Sequence, residues 1–191
     1  MIGRSSGDRR ADSVQAVTAR KSLPVLDDEI EARARATQAA HPFWPCKQGC
    51  DLCCRSLPHL PTITRVEWER LREAVDALPD SVRADVMHRT QVAPETGPLT
   101  CPLLDPARGA CLVYAARPIA CRTYGFYTER DAGLHCERVT RALGEQQPAE
   151  PVIWGNGESV ATAMRAHGEP VSLRAWMGEL DYSKRPTKTS F

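Results

Sequence analysis

Large aromatic side chains are scarce in this sequence: Phe, Trp and Tyr make up 6% of its 191 residues. A chain so poor in the residues that bury most area builds a modest apolar core and leans on other cross-links. Charge of one sign is also missing. Twenty-five Lys and Arg stand against 24 Asp and Glu, a formal net charge of +1. With no block of Lys and Arg, no nucleic-acid partner is expected. Apolar runs are short, and none reaches the roughly 18 residues that cross a bilayer, so no membrane partner is expected either. The first 22 residues are basic and polar and lack the apolar stretch of an export signal. Arg9-Arg10 leads into no hydrophobic segment, and Asp8 and Asp12 do not suit a transit peptide. These residues read as a disordered arm on a cytoplasmic protein. Also absent are a Ser/His/Asp set, a phosphate loop and a dinucleotide fingerprint, so the common hydrolase and nucleotide chemistries have no foothold.

Fifteen prolines and twelve glycines point to much irregular backbone. Between them, helices are predicted over Leu26–Ala40, from Thr64 through Leu78, and from Asp80 or Ser81 to Gln91. The first carries Asp27, Asp28, Glu29 and Glu31 early, where carboxylates suit the positive helix end. Thr64-x-x-Glu67 has the form of a capping box. Further helices are expected from Cys136 to about Leu143, after the turn at Trp154-Gly155-Asn156 up to Gly168, and after a Ser172 cap. Between Cys101 and Cys136 short apolar pieces alternate with turn signals such as Arg117-Pro118. Cys111–Tyr114 reads there as a short strand, and no helix is predicted. The fold class is therefore mainly α, with irregular, metal-organised cysteine-rich loops and few short strands. The chain divides into an arm (1–22), a cysteine-cluster domain (23–145), a helical C-terminal extension (146–181) and a disordered tail (182–191).

The eight cysteines are Cys46, Cys50, Cys53, Cys54, Cys101, Cys111, Cys121 and Cys136. Four fall within nine residues as C-x3-C-x2-C-C, and the others arrive singly. Metal ions and iron-sulfur clusters want about four thiolates converging from different backbone directions. Cys50-x2-Cys53 supplies two from one turn, with Gly49 free to take a left-handed conformation. Neighbouring side chains in extended backbone point to opposite sides, so Cys53 and Cys54 need not serve one ion. Two four-thiolate sites, or one cluster with structural thiols, are both compatible with eight ligands. Competing readings are buried core cysteines, four disulfides, a purely structural zinc site and a radical SAM motif. The crowding opposes the first, the absent export signal the second. The lack of β/α alternation opposes the last.

The block CKQGCDLCC followed by CPLLDPARGACLVYAARPIACRTYGFY resembles the YkgJ-like family of CxxCxxCC proteins, zinc- or iron-chelating domains. The resemblance rests on Cys46, Cys50, Cys53 and Cys54, continues through Cys101, Cys111, Arg117-Pro118 and Cys121-Arg122, and ends at Cys136. The family's short name implies x2 in the first gap, where this chain has x3. It implies metal or iron-sulfur binding and leaves substrate and reaction open.

Clustered thiolates carry excess negative charge, and a nearby guanidinium offsets it and donates to sulfur. Arg117 and Arg122 are assigned that role, Arg55 less firmly. His135 and His59 read as ordinary surface histidines, and Tyr114, Tyr124 and Tyr127 as packing. Three functional readings follow: a module binding Zn2+ or Fe through eight cysteines, an iron-sulfur-dependent redox or protein-modifying enzyme, and a zinc-stabilised interaction adaptor. Thiolate softness alone does not choose among them.

Overall fold

The computed structural model describes residues 21–130 and 132–180. The predicted tail and all but the last two residues of the predicted arm lie outside these. In chain order the elements are α1 (Leu23–Ala40), α2 (Leu52–Arg55), β1 (Thr62–Ile63), α3 (Arg65–Asp76), α4 (Asp80–Val92), β2 (Leu104–Asp105) and β3 (Ala110–Cys111). A 3-10 turn at Tyr114–Ala116 leads to α5 (Ile119–Thr123), β4 (Tyr127–Glu129), β5 (Ala132–Leu134) and α6 (Glu137–Gln146). The chain ends with β6 (Gly155–Asn156), α7 (Gly157–Arg165), β7 (Val171–Ser172) and α8 (Leu173–Gly178). The fold is mainly helical with short strands, as the sequence predicts. No helix among the described residues is long and apolar enough to cross a membrane.

Helix α1 starts three residues earlier than predicted, because Pro24 suits the first helical turn, where its missing N–H is no loss. The acidic residues therefore fall beyond the first turn, and Asp27 serves packing instead. It ion-pairs with Arg70 of α3 and with Arg122 of α5, the latter at 3.1 Å, tying three helices together. Leu23, Leu26, Ile30 and Ala34 form the buried stripe of α1 at helical spacing. Helix α3 begins at its Thr64 cap as predicted. For α4 the cap position is Pro79, and Asp80 is the first helical residue, so neither Asp80 nor Ser81 acts as the cap. Asn156 caps α7, accepting from the Ser159 N–H at 2.9 Å, and Ser172 caps α8 through the Arg174 N–H.

The cysteine-rich stretches differ from prediction in two places. Residues 119–123 form a helix after all, because Pro118 pre-sets the backbone entering it. Of the predicted strand only Cys111 pairs, opposite Leu104; the strand instead begins at Ala110, and Tyr114 turns into the 3-10 segment. Each sheet is small. β1 pairs antiparallel with β7, and β4 pairs antiparallel with β5 and parallel with β6. Segments after residue 146 thus complete sheets begun before residue 130.

Two apolar cores result. The first gathers α3, α4, α8 and the 101–116 stretch, around Leu71, Val75, Val86, Leu104 and Met177. Trp68 and Trp176 stack within it at 5.9 Å, and the Trp176 Nε1–H donates to the Ile63 carbonyl at 2.9 Å. The second core joins α1, α5, β4, α6 and α7 around Ile30, Trp44, Phe126 and Val139. Trp154 packs edge-on against Trp44 at 5.5 Å, which docks the C-terminal part onto the flank of the first cysteine block. The cysteines lie where these two cores meet.

Candidate metal centre

Tight turns place the first four cysteines. The Cys50 N–H donates to the Lys47 carbonyl at 3.0 Å, and Gly49 completes the turn at φ +91, a conformation costly for any residue with a Cβ. Cys53 and Cys54 lie on the single helical turn α2, so the extended backbone expected there is corrected. Side chains adjacent in a helix diverge by about 100° rather than pointing oppositely, which keeps both sulfurs near each other.

Five of the eight cysteines line one cavity of about 310 Å3: Cys46, Cys50, Cys53, Cys121 and Cys136. Tyr114, Arg117, Arg122, Tyr124 and Phe126 share its wall. The remaining three belong to the first core, where Cys101 is buried and Cys54 and Cys111 pack against it. The Cys101 N–H donates to the Cys54 carbonyl at 2.7 Å, joining the two cysteine stretches directly. Cys46 and Cys136 pack against the second core. All eight are free thiols.

Burial pushes the Cys46 thiol up to about 12, and charge on Cys136, Cys50 and Cys53 acts the same way. Burial likewise raises Cys101 and Cys121 to about 12, with Cys111 and Cys53 among the neighbours that reinforce both shifts. Cys53 is raised first by its bond to Cys54 and then by burial, and Cys111 by burial. Grouped, buried thiols stay protonated until a cation offsets their charge. Thiolates are soft donors that suit zinc and iron, so the donor chemistry fits a metal of that kind. In this conformation no three Cys, His, Asp or Glu side chains among the described residues are drawn close enough to hold an ion.

The raised thiols carry a pH consequence for the metal-free protein. Their folded values lie above the ordinary 9.0, so burial favours folding while they are protonated. That contribution is lost as pH rises from 9 towards 12. The metal-free protein is expected to melt at a lower temperature at about pH 10 than at about pH 8, followed by circular dichroism.

Gly125 lies against Cys46. Its φ is +93, and a Cβ there would lie 2.5 Å from Cys46 Sγ. Gly125→Ala combines left-handed strain with this clash. It is expected to destabilise the protein by about 1–3 kcal/mol and to displace Cys46. Thermal melts and metal titration of the variant read both effects.

The charged and aromatic neighbours divide differently from prediction. Arg117 lies with its guanidinium 3.5 Å from the Tyr114 ring centroid, close enough to lower the Cys111 and Cys121 thiols electrostatically. Arg122 pairs with Asp27 and donates to the Arg117 and Ala115 carbonyls, bracing the 3-10 turn that carries Arg117. Arg55 pairs with Asp51 at 2.6 Å. A guanidinium that does reach a sulfur is that of Arg138, whose Nη1 donates to Cys50 Sγ at 3.6 Å. Sequence reasoning passed over it, although a signal existed: Arg138 lies in the first turn of α6, where a cation opposes the helix dipole. His135 stacks on Trp154 at 5.2 Å, and His59 Nδ1 lies 2.8 Å from the Leu60 carbonyl.

Eight thiols carried on short turns between two small cores, with guanidinium groups beside them, define the class: a cysteine-cluster metal-chelating domain. The family is specific. The CxxCxxCC model, described as a "putative zinc- or iron-chelating domain", matches residues 45–140, half of the chain, and the chain belongs to this family. No curated protein and no solved structure matches the chain significantly.

Proposed function

We propose that the protein binds zinc or iron through Cys46, Cys50, Cys53, Cys54, Cys101, Cys111, Cys121 and Cys136, and that the metal organises residues 44–136. The observation carrying this reading is the convergence of cysteines from three separate stretches on one cavity. Family membership supports it independently. Free thiols in such number suit a reducing cytoplasm. Loss of thiol protons on binding makes affinity rise with pH, and raised thiols extend that rise well above neutrality. Arg117 and Arg138 hold positive charge beside the sulfurs, and Arg122 keeps Arg117 in place.

A second reading, an iron-sulfur-dependent enzyme, is favoured by the cavity itself. Its wall sets Tyr114, Tyr124 and Arg117 beside the sulfurs, where a small molecule has room. Anaerobic purification without added metal separates the two. A colourless protein with stoichiometric zinc sinks the cluster enzyme. A broad band near about 400 nm with acid-labile sulfide supports the cluster. A protein with no metal and no affinity for either would overturn both.

A further inference from the structure

The three-stranded sheet ends beside the cysteines, and its register decides what gathers at that end. Tyr127 of β4 pairs with Leu134 of β5 and with Gly155 of β6. Because β5 runs antiparallel to β4 and β6 parallel, the residue after Leu134 and those before Tyr127 and Gly155 meet at one end. They are His135, Phe126 and Trp154. Two backbone bonds fix this end: the Gly125 N–H donates to the Leu134 carbonyl at 2.5 Å, and the Gly155 N–H to the Phe126 carbonyl at 2.9 Å. Gly125 lies against the Cys46 sulfur, and Cys136 directly follows His135. The rings join the same two flanks. Phe126 stacks on Trp44 at 6.2 Å, Trp154 meets Trp44 edge-on at 5.5 Å, and His135 stacks on Trp154 at 5.2 Å. Trp44 stands two residues before Cys46. Glycine at 133 makes room for this stack, since a Cβ there would overlap the His135 ring at Nε2. Trp154 is thus in ring contact beside both Cys46 and Cys136, and both cysteines line the cavity.

We infer that Trp154 is a positioning residue of the metal site: it clamps the Trp44 and His135 rings and through them holds Cys46 and Cys136 on one cavity wall. This rests on the metal-binding reading above. Cys46 and Cys136 are the first and last of the eight cysteines. Bringing such distant positions together costs loop-closure entropy, which a metal would otherwise have to offset on binding. A stack already formed in the metal-free fold removes that cost and raises affinity by preorganisation. Aromatic pairs suit the task, because they favour particular ring geometries as well as burial. Trp154 lies outside residues 45–140, the span the family model matches. The segment after residue 146 is therefore a working part of the metal-binding unit, not an appendage to it.

The zinc-loaded full chain is alkylated with iodoacetamide and read cysteine by cysteine by mass spectrometry, alongside a zinc titration. Loss of a ring that makes two aromatic contacts is expected to weaken zinc binding about tenfold in Trp154→Ala. In the same variant Cys46 and Cys136 should react about tenfold faster than in the unmodified chain, while Cys54 and Cys101, packed with the first core, keep their protection. Trp154→Phe retains a ring and should recover most of the protection. Gly133→Ala pushes the His135 ring off Trp154 without altering Trp154, and should expose Cys136 more than Cys46. Unchanged rates and zinc affinity in Trp154→Ala and Gly133→Ala would overturn the clamp and leave metal binding standing. So would an equal rise at all eight cysteines, the mark of general loosening. An unmodified chain that takes up no zinc would remove the metal-binding reading itself. If Trp154→Ala does not fold, Gly133→Ala decides.

Discussion

Stripping the protein with a strong chelator lowers its melting temperature by roughly 10 °C or more, because metal affinity in such domains is folding free energy. The reason lies in residues 44–58 and 99–123. Their regular structure amounts to single turns and two-residue strands, too little hydrogen bonding to hold itself. Neighbouring α3 and α4 span 12 and 13 residues and share the Leu71, Val75 and Val86 core. Hydrogen exchange after chelation is therefore expected to lose protection first in the cysteine stretches and last in α3. Cys50→Ala acts in the same direction. Unchanged melting and unchanged exchange after both treatments would show that metal has no structural part here.

Glu67→Ala is the second large effect. The carboxylate is 5% exposed and accepts three hydrogen bonds: from the Thr64 N–H at 2.9 Å, the Thr64 hydroxyl at 2.8 Å and the Ile119 N–H at 2.9 Å. Removing it orphans donors at the start of both α3 and α5. Each buried donor left unpaired costs about 1–3 kcal/mol, so a loss on the order of 4 kcal/mol is expected in chemical denaturation. Metal affinity should fall too, because α5 carries Cys121. Glu67→Gln retains an accepting oxygen and should cost roughly half as much. Glu69→Ala, exposed on the same helix, should be nearly silent, within about 0.5 kcal/mol.

Glu67 also marks how far the sequence reads. Its bonds to Thr64 were legible because a capping box is local, three residues from cap to carboxylate. Its bond to Ile119 crosses 52 residues and has no sequence period. Asp27 tells the same story: its charge suggested a helix end, whereas its partners Arg70 and Arg122 come from distant helices. Strands of two or three residues are too short for alternation to show, so β1 with β7 and β4 with β6 were invisible. Helix α3 emerged from its capping box and repeating apolar residues, α1 from its carboxylates and alanines, and α8 from Ser172, Leu173, Trp176 and Met177, whereas the short α2 and α5 did not emerge. Cysteine crowding announced the candidate donor set. Its division between two cores did not, since core membership is a property of packing. Arg138 was missed because adjacency to a cysteine in sequence drew attention to Arg122 and Arg55, and helix geometry brought Arg138 to the sulfur.

Thiol protection measures the central claim most directly. Native protein purified anaerobically is treated with an alkylating reagent, with and without prior metal removal, and the modified cysteines are mapped by mass spectrometry. The prediction is that all eight cysteines resist alkylation in the metal-loaded protein and all eight react after the metal is removed. Equal reactivity in the two states would contradict a metal held by these thiols.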